Sequence, residues 1–295
     1  MDFIQILVSG VANGCVYGLI ALGFVLIYKA TEAVNFAQGD FMMLGAFFCL
    51  GFTNADFMGI YFWLAVPMAI IAMGIFGYVF DWGVLRHMSG QSQTSIVVLT
   101  IAVGFILRFI AGTVWSHEPV SLETPFAGEY LRFGGIVLGV NEILIIGVTI
   151  LLTGVLYLFF SRAKLGVAMQ AASQNQLAAY YMGIPVKRIQ SLVWGLSGMV
   201  AAVAGILFAS KGGAIDPSSG LLGIKAFAAA AIGGFGSLPG ALVGGLIVGL
   251  VEPLSARYAP DGFAGIARIA PYAILIIVLI FRPGGLFSQT QKKKV

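Results

Sequence analysis

Six charged side chains lie within long apolar runs or at their edges, and they are the first candidates for chemistry. They are Asp81, Arg108, Glu142, Lys225, Glu252 and Arg268. A charge at membrane depth is costly, so such a residue faces protein or water, where it forms an ion pair, lies near an interface or lines a transport path. An ion pair or an interfacial position is the expected role for five of them. Lys225, five residues after Gly220, is the candidate for a path-lining position.

No motif in the sequence indicates catalysis. H-E-x-x-H and G-x-S-x-G are both missing, and the topology inferred below places His87 and His117 on opposite sides of a membrane. The phosphate loop G-x-x-x-x-G-K-[ST] is also missing, so an ATP-driven process would need a partner that binds ATP. Cys15 and Cys49 lie inside apolar runs, where buried free thiols are expected rather than a disulfide or a metal site. We therefore expect a non-catalytic chain that binds no cofactor and no metal.

Composition decides the class of protein. The chain has 295 residues, of which 59% are hydrophobic and 9% charged, with a mean hydropathy of +0.99. A water-soluble protein of this size cannot hide so much apolar surface, because its own surface must be solvated. This excludes a large soluble catalytic domain, a nucleic-acid-binding domain and a disordered scaffold. The sequence predicts an all-α polytopic membrane protein that forms one domain over 1–295 and contacts the lipid bilayer but no nucleic acid.

Apolar segments of membrane-spanning length recur along the chain. They are predicted at 3–28, 40–54, 60–85, 94–115, 140–160, 189–210, 222–235, 238–257 and 263–281. Segments 40–54 and 222–235 are short and rich in small residues, which is typical of half-helices or broken helices, so eight or nine transmembrane helices are predicted. On the first segment, Gly10, Gly14 and Gly18 recur every four residues and predict close packing against another helix.

The distribution of basic residues sets the predicted orientation in the membrane. With a cytoplasmic C-terminus, the cytoplasmic connections hold ten basic residues: Lys29, Arg86, Arg162, Lys164, Lys187, Arg188, Arg282, Lys292, Lys293 and Lys294. The outer connections then hold only three: Arg132, Lys211 and Arg257. This bias, with an odd number of segments, predicts an N-terminus outside, a C-terminus inside and an extracytoplasmic loop at 116–139.

A weak internal repeat relates the two halves of the chain. An offset of 181 residues superimposes Gly14 on Gly195 and Gly39 on Gly220. The first helices of the two halves then run in opposite directions, which predicts inverted repeats of the kind found in transporters. Chance alignment of glycine- and alanine-rich stretches is the alternative. The resulting units are halves at about 1–115 and 189–281, a linking span at 140–160 and a cytoplasmic segment at 161–188.

Each half contains a polar, glycine-containing break after its long helix, at 35–40 and at 216–220. Matched breaks indicate a substrate path, because unwound backbone is tolerated at membrane depth only beside protein or a cavity. Asn13 and Tyr17 lie one turn apart on the first helix and add polar groups. The predicted path residues are Asn13, Tyr17, Asn35, Gln38, Gly39, Asp216, Ser219, Gly220 and Lys225.

The segment 161–188 is the long polar connection on the predicted cytoplasmic side. Ser173 and Gln176 have the spacing of a capping box, which predicts a helix over 174–182 that ends at Gly183. The favoured interpretation is that this helix protrudes and docks on a cytoplasmic partner. The alternative is a helix that lies on the membrane surface and is anchored by its tyrosines. The apolar side of this helix carries Leu177, Tyr180 and Tyr181.

Four stretches, in their order and spacing, resemble the permease subunits of branched-chain amino acid ABC importers, the LivH type. They are ALGFVLIYKATEAVNFAQGDFMMLGAFF (21–48), SRAKLGVAMQAASQNQLAAYYMGIPVKRI (161–189), GGFGSLPGALVGGLIVG (233–249) and FRPGGLF (281–287). The resemblance implies that the second stretch holds the coupling helix that docks on the ATPase. Gln170 departs from the family pattern, which has an acidic residue there. From the helix pattern and the resemblance together, the coupling residues are Ala171, Ala172, Ser173, Gln176, Leu177, Ala179, Tyr180, Tyr181 and Gly183.

The resemblance also implies partners and a location. It implies a bacterial-type cytoplasmic (inner) membrane, a second homologous permease subunit, two cytoplasmic ATPase subunits that carry ATP and Mg²⁺, and an extracytoplasmic solute-binding protein. The implied function is to form half of the translocation path for branched-chain or other hydrophobic amino acids. Import of urea, short amides or small organic acids by the same architecture is the alternative. An ion-coupled secondary transporter is less favoured, because it would leave the coupling helix without a role.

Overall fold

The computed structural model describes residues 2–88, 91–126, 128–133, 136–212, 214–259 and 265–287. Nine of its helices correspond to the predicted apolar segments. They are α1 (Asp2–Thr31), α2 (Gln38–Thr53), α3 (Phe62–Gly83), α4 (Gln93–Val114), α5 (Val140–Arg162), α8 (Val186–Ser210), α9 (Leu222–Gly233), α10 (Leu238–Tyr258) and α11 (Ile266–Phe281). Two further helices, α6 (Lys164–Gln174) and α7 (Gln176–Tyr181), lie between α5 and α8.

Within the part of the chain that the structure describes, six helices are long and apolar enough to span a membrane, namely α1, α3, α4, α5, α8 and α10. The apolar helix α11 is shorter, with 16 residues. The helices α2 and α9, with 16 and 12 residues, are the two short segments that the sequence predicts. The polytopic all-α prediction is confirmed, and each predicted segment boundary lies within about three residues of the helix end.

The connection between α4 and α5 contains an antiparallel hairpin, β1 (Tyr130–Phe133) and β2 (Ile136–Gly139), that the sequence analysis did not predict. In the same connection, Val120 forms an isolated bridge with Ile215. The backbone N–H of each residue donates to the carbonyl oxygen of the other, at 2.9 and 2.8 Å. The connection is therefore tied to the backbone that follows α8.

The helix α1 is the centre of the molecule, and it packs against α8, α9 and α10. Gly10 faces Gly249 on α10, and Gly14 faces Leu246, where an added Cβ would lie 2.7 Å from the Leu246 Cα. The backbones of α1 and α10 are thus in direct contact, as the four-residue spacing of glycine predicts. In lipid no hydrophobic effect drives helices together, so this close approach supplies much of the contact energy.

The long helices α8 and α10 run antiparallel to α1, which defines two ends of the molecule. Ser197 on α8 donates to the backbone oxygen of Gly23 on α1, whereas Lys211, just after α8, reaches Ser9 near the start of α1. The first described helix begins at one end, and α11 finishes at the other, called the basic end below. The basic end carries Lys29, Arg86, Arg162, Lys164, Lys187, Arg188 and Arg282. Outside the described residues lie Lys292, Lys293, Lys294 and the side chain of Arg132.

Candidate functional site

The first break, between α1 and α2, is buried, and its polar groups form hydrogen bonds with side chains. Asn35 Nδ2 donates to Gln38 Oε1 at 3.2 Å, and Ser197 Oγ donates to the same oxygen at 3.0 Å. Asn35 Oδ1 accepts the backbone N–H two residues further on at 3.0 Å, and the Phe36 N–H donates to Thr100 Oγ1 at 3.1 Å. Unwound backbone at this depth needs such internal partners. Both predicted path residues here face protein.

The second break, between α8 and α9, forms the short 3-10 helix Pro217–Leu221. The start of this helix is capped by residues of the break itself. Ser219 Oγ donates to Asp216 Oδ1 at 2.9 Å, and the Asp216 N–H donates to Ser219 Oγ at 3.2 Å. Ser218 Oγ also donates to the Asp216 carboxylate, at 2.8 Å. This reciprocal capping box satisfies backbone groups with residues of the break itself.

The two breaks touch each other. A Cβ added at Gly39 would meet the Gly220 backbone oxygen and would lie 2.7 Å from the Gly223 Cα, so only glycine fits there. Beside this contact, Arg108 Nε donates to Asp40 Oδ1 at 2.6 Å and Nη2 donates to Oδ2 at 3.4 Å. Asp40 is 1% exposed. Asp40 was not among the predicted site residues, although its position directly after Gly39, at the start of a short helix, was an available signal.

Lys225 is held in an ion pair that ties α9 to α10 and α1. Its Nζ donates to Glu252 Oε1 at 2.5 Å, and Tyr17 OH donates to Glu252 Oε2 at 2.8 Å. The Lys225 and Glu252 side chains each keep about a fifth of their surface exposed. The group thus places both charge signs at the partly exposed surface of the chain.

Lys211 organises a second polar group at the opposite end from the basic end. Its Nζ donates to Asn13 Oδ1 at 2.7 Å and to Ser9 Oγ at 2.9 Å, and it lies 3.8 Å from Glu142 Oε1. Burial lowers the pKa of Lys211, and the charge of Glu142 opposes part of this shift. This group joins α1, α5 and the connection after α8.

The predicted path residues therefore fall into separate groups in the described structure. Only Gly39 and Gly220 come together from the two different breaks. Tyr17 and Lys225 share Glu252, which the prediction of path residues left out. The groups are Asn35 with Gln38, Gly39 with Gly220, Asp216 with Ser219, Tyr17 with Lys225, and Asn13 with Lys211.

The predicted capping box at Ser173 is wrong. The helix α6 continues to Gln174, and Ser173 Oγ donates to the Gln170 carbonyl oxygen at 2.8 Å inside that helix. Asn175 caps α7 instead, because its Oδ1 accepts the N–H of Ala178 at 2.9 Å. Gln176 Nε2 donates to the Ala30 carbonyl oxygen on α1 at 3.1 Å rather than reaching back to a cap. The predicted nine-residue helix over 174–182 is thus the six-residue helix α7 after a bend at position 175.

Gly183 ends α7 in the left-handed conformation, with φ of +83°, as predicted. Its N–H donates to Tyr180 O at 3.0 Å, and the Ile184 N–H donates to Ala179 O at 3.0 Å, which is a Schellman-type ending. Ala179 is buried, as is Ala172 on α6, so both hold the segment in place rather than line its outer surface. The exposed apolar side chains at the tip are Leu177, Tyr180, Tyr181 and Met182, of which Met182 was not predicted.

Among solved structures, the fold is similar to that of PsaBC from Streptococcus pneumoniae in complex with Fab. The TM-score is 0.50, the sequence identity is 14%, and the match covers 95% of this chain and 91% of that one. At this identity the similarity concerns the fold alone.

Sequence comparisons give closer relatives. The chain is 31% identical to the high-affinity branched-chain amino acid transport system permease protein BraD of Pseudomonas aeruginosa, over 99% of this chain and 98% of the relative. It is 30% identical to LivH of Escherichia coli over the same shares, and 23% identical to LivM of that organism over 94% of this chain and 68% of the relative. Residues 6–279 match the model of a family described as the permease component of a branched-chain amino acid transport system. The chain belongs to this family of branched-chain amino acid transport permeases.

Proposed function

We propose that the chain forms half of the translocation path of an ATP-driven importer of branched-chain or other hydrophobic amino acids. The observation that carries the proposal is the exposed apolar tip of α7 at the basic end of a chain without a phosphate loop. Two partner ATPase subunits supply ATP hydrolysis with Mg²⁺, and this tip docks on one of them. Buried aromatic side chains commonly dominate such contacts.

A second permease subunit forms the other half of the path. Support comes from the similarity of this chain to both a LivH and a LivM protein of one organism. In the proposed arrangement the two halves of the chain are inverted repeats, and their breaks meet at Gly39 and Gly220 beside the substrate path. An extracytoplasmic binding protein delivers the amino acid, which passes a weakly polar lining without tight binding.

The basic end is placed on the cytoplasmic side of an inner membrane, so the N-terminus is outside and the C-terminus inside. Ser121 and Gln174 are both exposed and lie in connections at opposite ends. In a background without Cys15 and Cys49, single cysteines at these two positions should react with an impermeant thiol reagent from opposite sides. Labelling of both positions from one side contradicts the orientation.

The coupling role is tested by a charge on the tip of α7. Tyr180 and Tyr258 are each 67% exposed, and Tyr258 ends α10 at the opposite end of the molecule. Tyr180→Asp should abolish co-purification of the ATPase and substrate-stimulated ATP hydrolysis, because it places a carboxylate in the docking surface. Tyr258→Asp, the matched control, should keep ATPase association. Wild-type co-purification with retained transport in a membrane-inserted Tyr180→Asp variant contradicts the assignment.

Uptake assays separate the two substrate classes. The transporter reconstituted with its binding protein should take up labelled leucine, isoleucine or valine, driven by ATP. Uptake of labelled urea or a short amide without uptake of these amino acids supports the alternative.

A further inference from the structure

A cavity of about 900 Å³ lies at the basic end of the molecule. Its walls come from the end of α3, the short 3-10 helix Leu85–Met88, the start of α4, the helix α7 and the start of α8. Small-molecule sites in proteins commonly have volumes of about 300–1,000 Å³. The cavity is therefore large enough to bind a metabolite.

One wall carries a buried carboxylate and a guanidinium group joined through a hydroxyl. Ser191 Oγ donates to Asp81 Oδ2 at 2.6 Å, and Arg86 Nη2 donates to Ser191 Oγ at 3.0 Å. Asp81 is 5% exposed, and Ser191 is fully buried. A negative and a positive group thus lie a few Å apart, both on the wall of one cavity.

Two donors on this wall have no hydrogen-bond partner among the residues that the structure describes. Arg86 Nε and Trp194 Nε1 are buried and form no hydrogen bond. The Trp194 ring is 1% exposed and is held edge-on by Phe41 and Phe80, so its N–H cannot turn to solvent. A buried donor without an acceptor is costly, so a further polar partner at this wall would be stabilising. The Arg86 side chain lines the cavity, so a carboxylate on a bound molecule can pair with its positive charge.

The remaining walls are apolar and positively charged. Lys187 and Arg188 also line the cavity. Together with Arg86 they give it three cationic side chains against the single carboxylate of Asp81. This charge balance favours a ligand with a carboxylate, and Asp81 adds a place for an ammonium group. The apolar part of the lining is Tyr78, Trp82, Leu85, Ile96, Leu177 and Tyr180.

We propose that this cavity binds a free amino acid with an apolar side chain. The Arg86 guanidinium pairs with its α-carboxylate, Asp81 accepts from its α-ammonium group, and the aromatic and aliphatic wall covers its side chain. The identity of that side chain rests on the proposed function, because a branched-chain importer releases this class of molecule at the basic end. The cavity is then a product-binding site separate from the two breaks.

Occupancy of this cavity acts on coupling. Gln176, Leu177 and Tyr180 of α7 line the same cavity as Asp81 and Trp194. A molecule bound there contacts α7, α3 and α8 together and restrains the helix that docks on the ATPase. A high concentration of imported amino acid therefore slows further import, since binding to one conformation shifts the population toward it.

The test measures equilibrium binding of radiolabelled L-leucine to the transporter in phosphatidylcholine nanodiscs, without binding protein. Saturable binding is expected. Leucinol, which lacks the carboxylate, and 4-methylpentanoate, which lacks the ammonium group, should compete about tenfold more weakly or worse, because each loses a charge-assisted contact. Leucine should also lower ATP hydrolysis when it is added on the ATPase side of proteoliposomes.

Variants assign the binding to this cavity. Asp81→Asn and Arg86→Gln should each weaken leucine binding by about tenfold or more. Arg282→Gln, at the same end but outside the cavity, should bind leucine like the wild type. Unchanged binding in Asp81→Asn and Arg86→Gln variants that remain monodisperse overturns the proposal, and so does the absence of leucine binding to the wild type.

Two further outcomes are distinguished. A phospholipid head group also carries an anion and, in phosphatidylethanolamine, an ammonium group. Loss of leucine binding when phosphatidylethanolamine replaces phosphatidylcholine assigns the cavity to lipid and overturns the amino acid assignment. Failure of the proposed function appears separately, as absence of binding-protein-dependent leucine uptake, whereas the binding assay needs neither uptake nor the binding protein.

Discussion

The two breaks look alike in the sequence but are stabilised in different ways. The first break, around Asn35 and Gln38, is buried and takes its hydrogen bonds from Ser197 and Thr100 on other helices. The second break is closed by its own capping box of Asp216 and Ser219. The first therefore depends on the assembled bundle, and the second depends mainly on local residues. Loss of a partner on another helix should therefore cost more stability at the first break than loss of a local cap costs at the second.

The largest effect is expected at the anchor of the first break. Arg108→Gln leaves the buried Asp40 carboxylate without its ion-pair partner, at an expected cost of about 3 kcal/mol in the free energy of unfolding. Arg108 keeps some exposure, so the low end of the range for buried pairs applies. The measurement is unfolding of the purified chain by a denaturing detergent. Arg268→Gln, an exposed arginine on α11, is the control and should change stability little.

A double substitution sharpens this prediction. Asp40→Asn combined with Arg108→Gln removes the uncompensated charge and should recover part of the stability that Arg108→Gln loses. If the double variant is less stable than the sum of the two single effects predicts, the ion pair is not what anchors the first break.

An intermediate effect is expected where the two breaks touch. Gly39→Ala puts a Cβ against the backbone of Gly220 and Gly223 and should cost about 2 kcal/mol through overpacking. Gly147→Ala, on α5 with open space around the position, is the matched control and should be neutral or slightly stabilising. Equal stability of the two variants would mean that the contact between the breaks is loose.

The smallest effect is expected at the second break. Asp216→Ala removes the cap of the short 3-10 helix and should cost about 1 kcal/mol. Ser218→Ala, which removes only a side-chain donor to Asp216, should cost less. If Asp216→Ala lowers the free energy of unfolding as much as Arg108→Gln does, the proposed difference is wrong. The second break would then not be stabilised mainly by its own residues, nor the first mainly by other helices.

Local patterns predicted most of the fold. Hydropathy alone placed the nine apolar helices, and glycine spacing predicted the contact of α1 with α10, because both signals lie within one segment. The partner of Asp40 could not be predicted, because Arg108 is distant in sequence and several cations were available. Ser173 and Asn175 both satisfy the rules for a helix cap. The choice of Asn175 follows from the packing of α6, in which Ala172 is buried, and not from local sequence.

The closed first break has a consequence for the membrane itself. An unwound segment inside a bilayer is a possible route for protons, because water can follow exposed backbone groups. Here the Phe36 and Ala37 N–H groups are bound by Thr100 and Asn35, so no string of water molecules is needed to solvate them. Cells store energy as an ion gradient across membranes of this kind. These side chains thus allow a helix to be interrupted inside the membrane without opening a path along which protons would leak and dissipate the gradient.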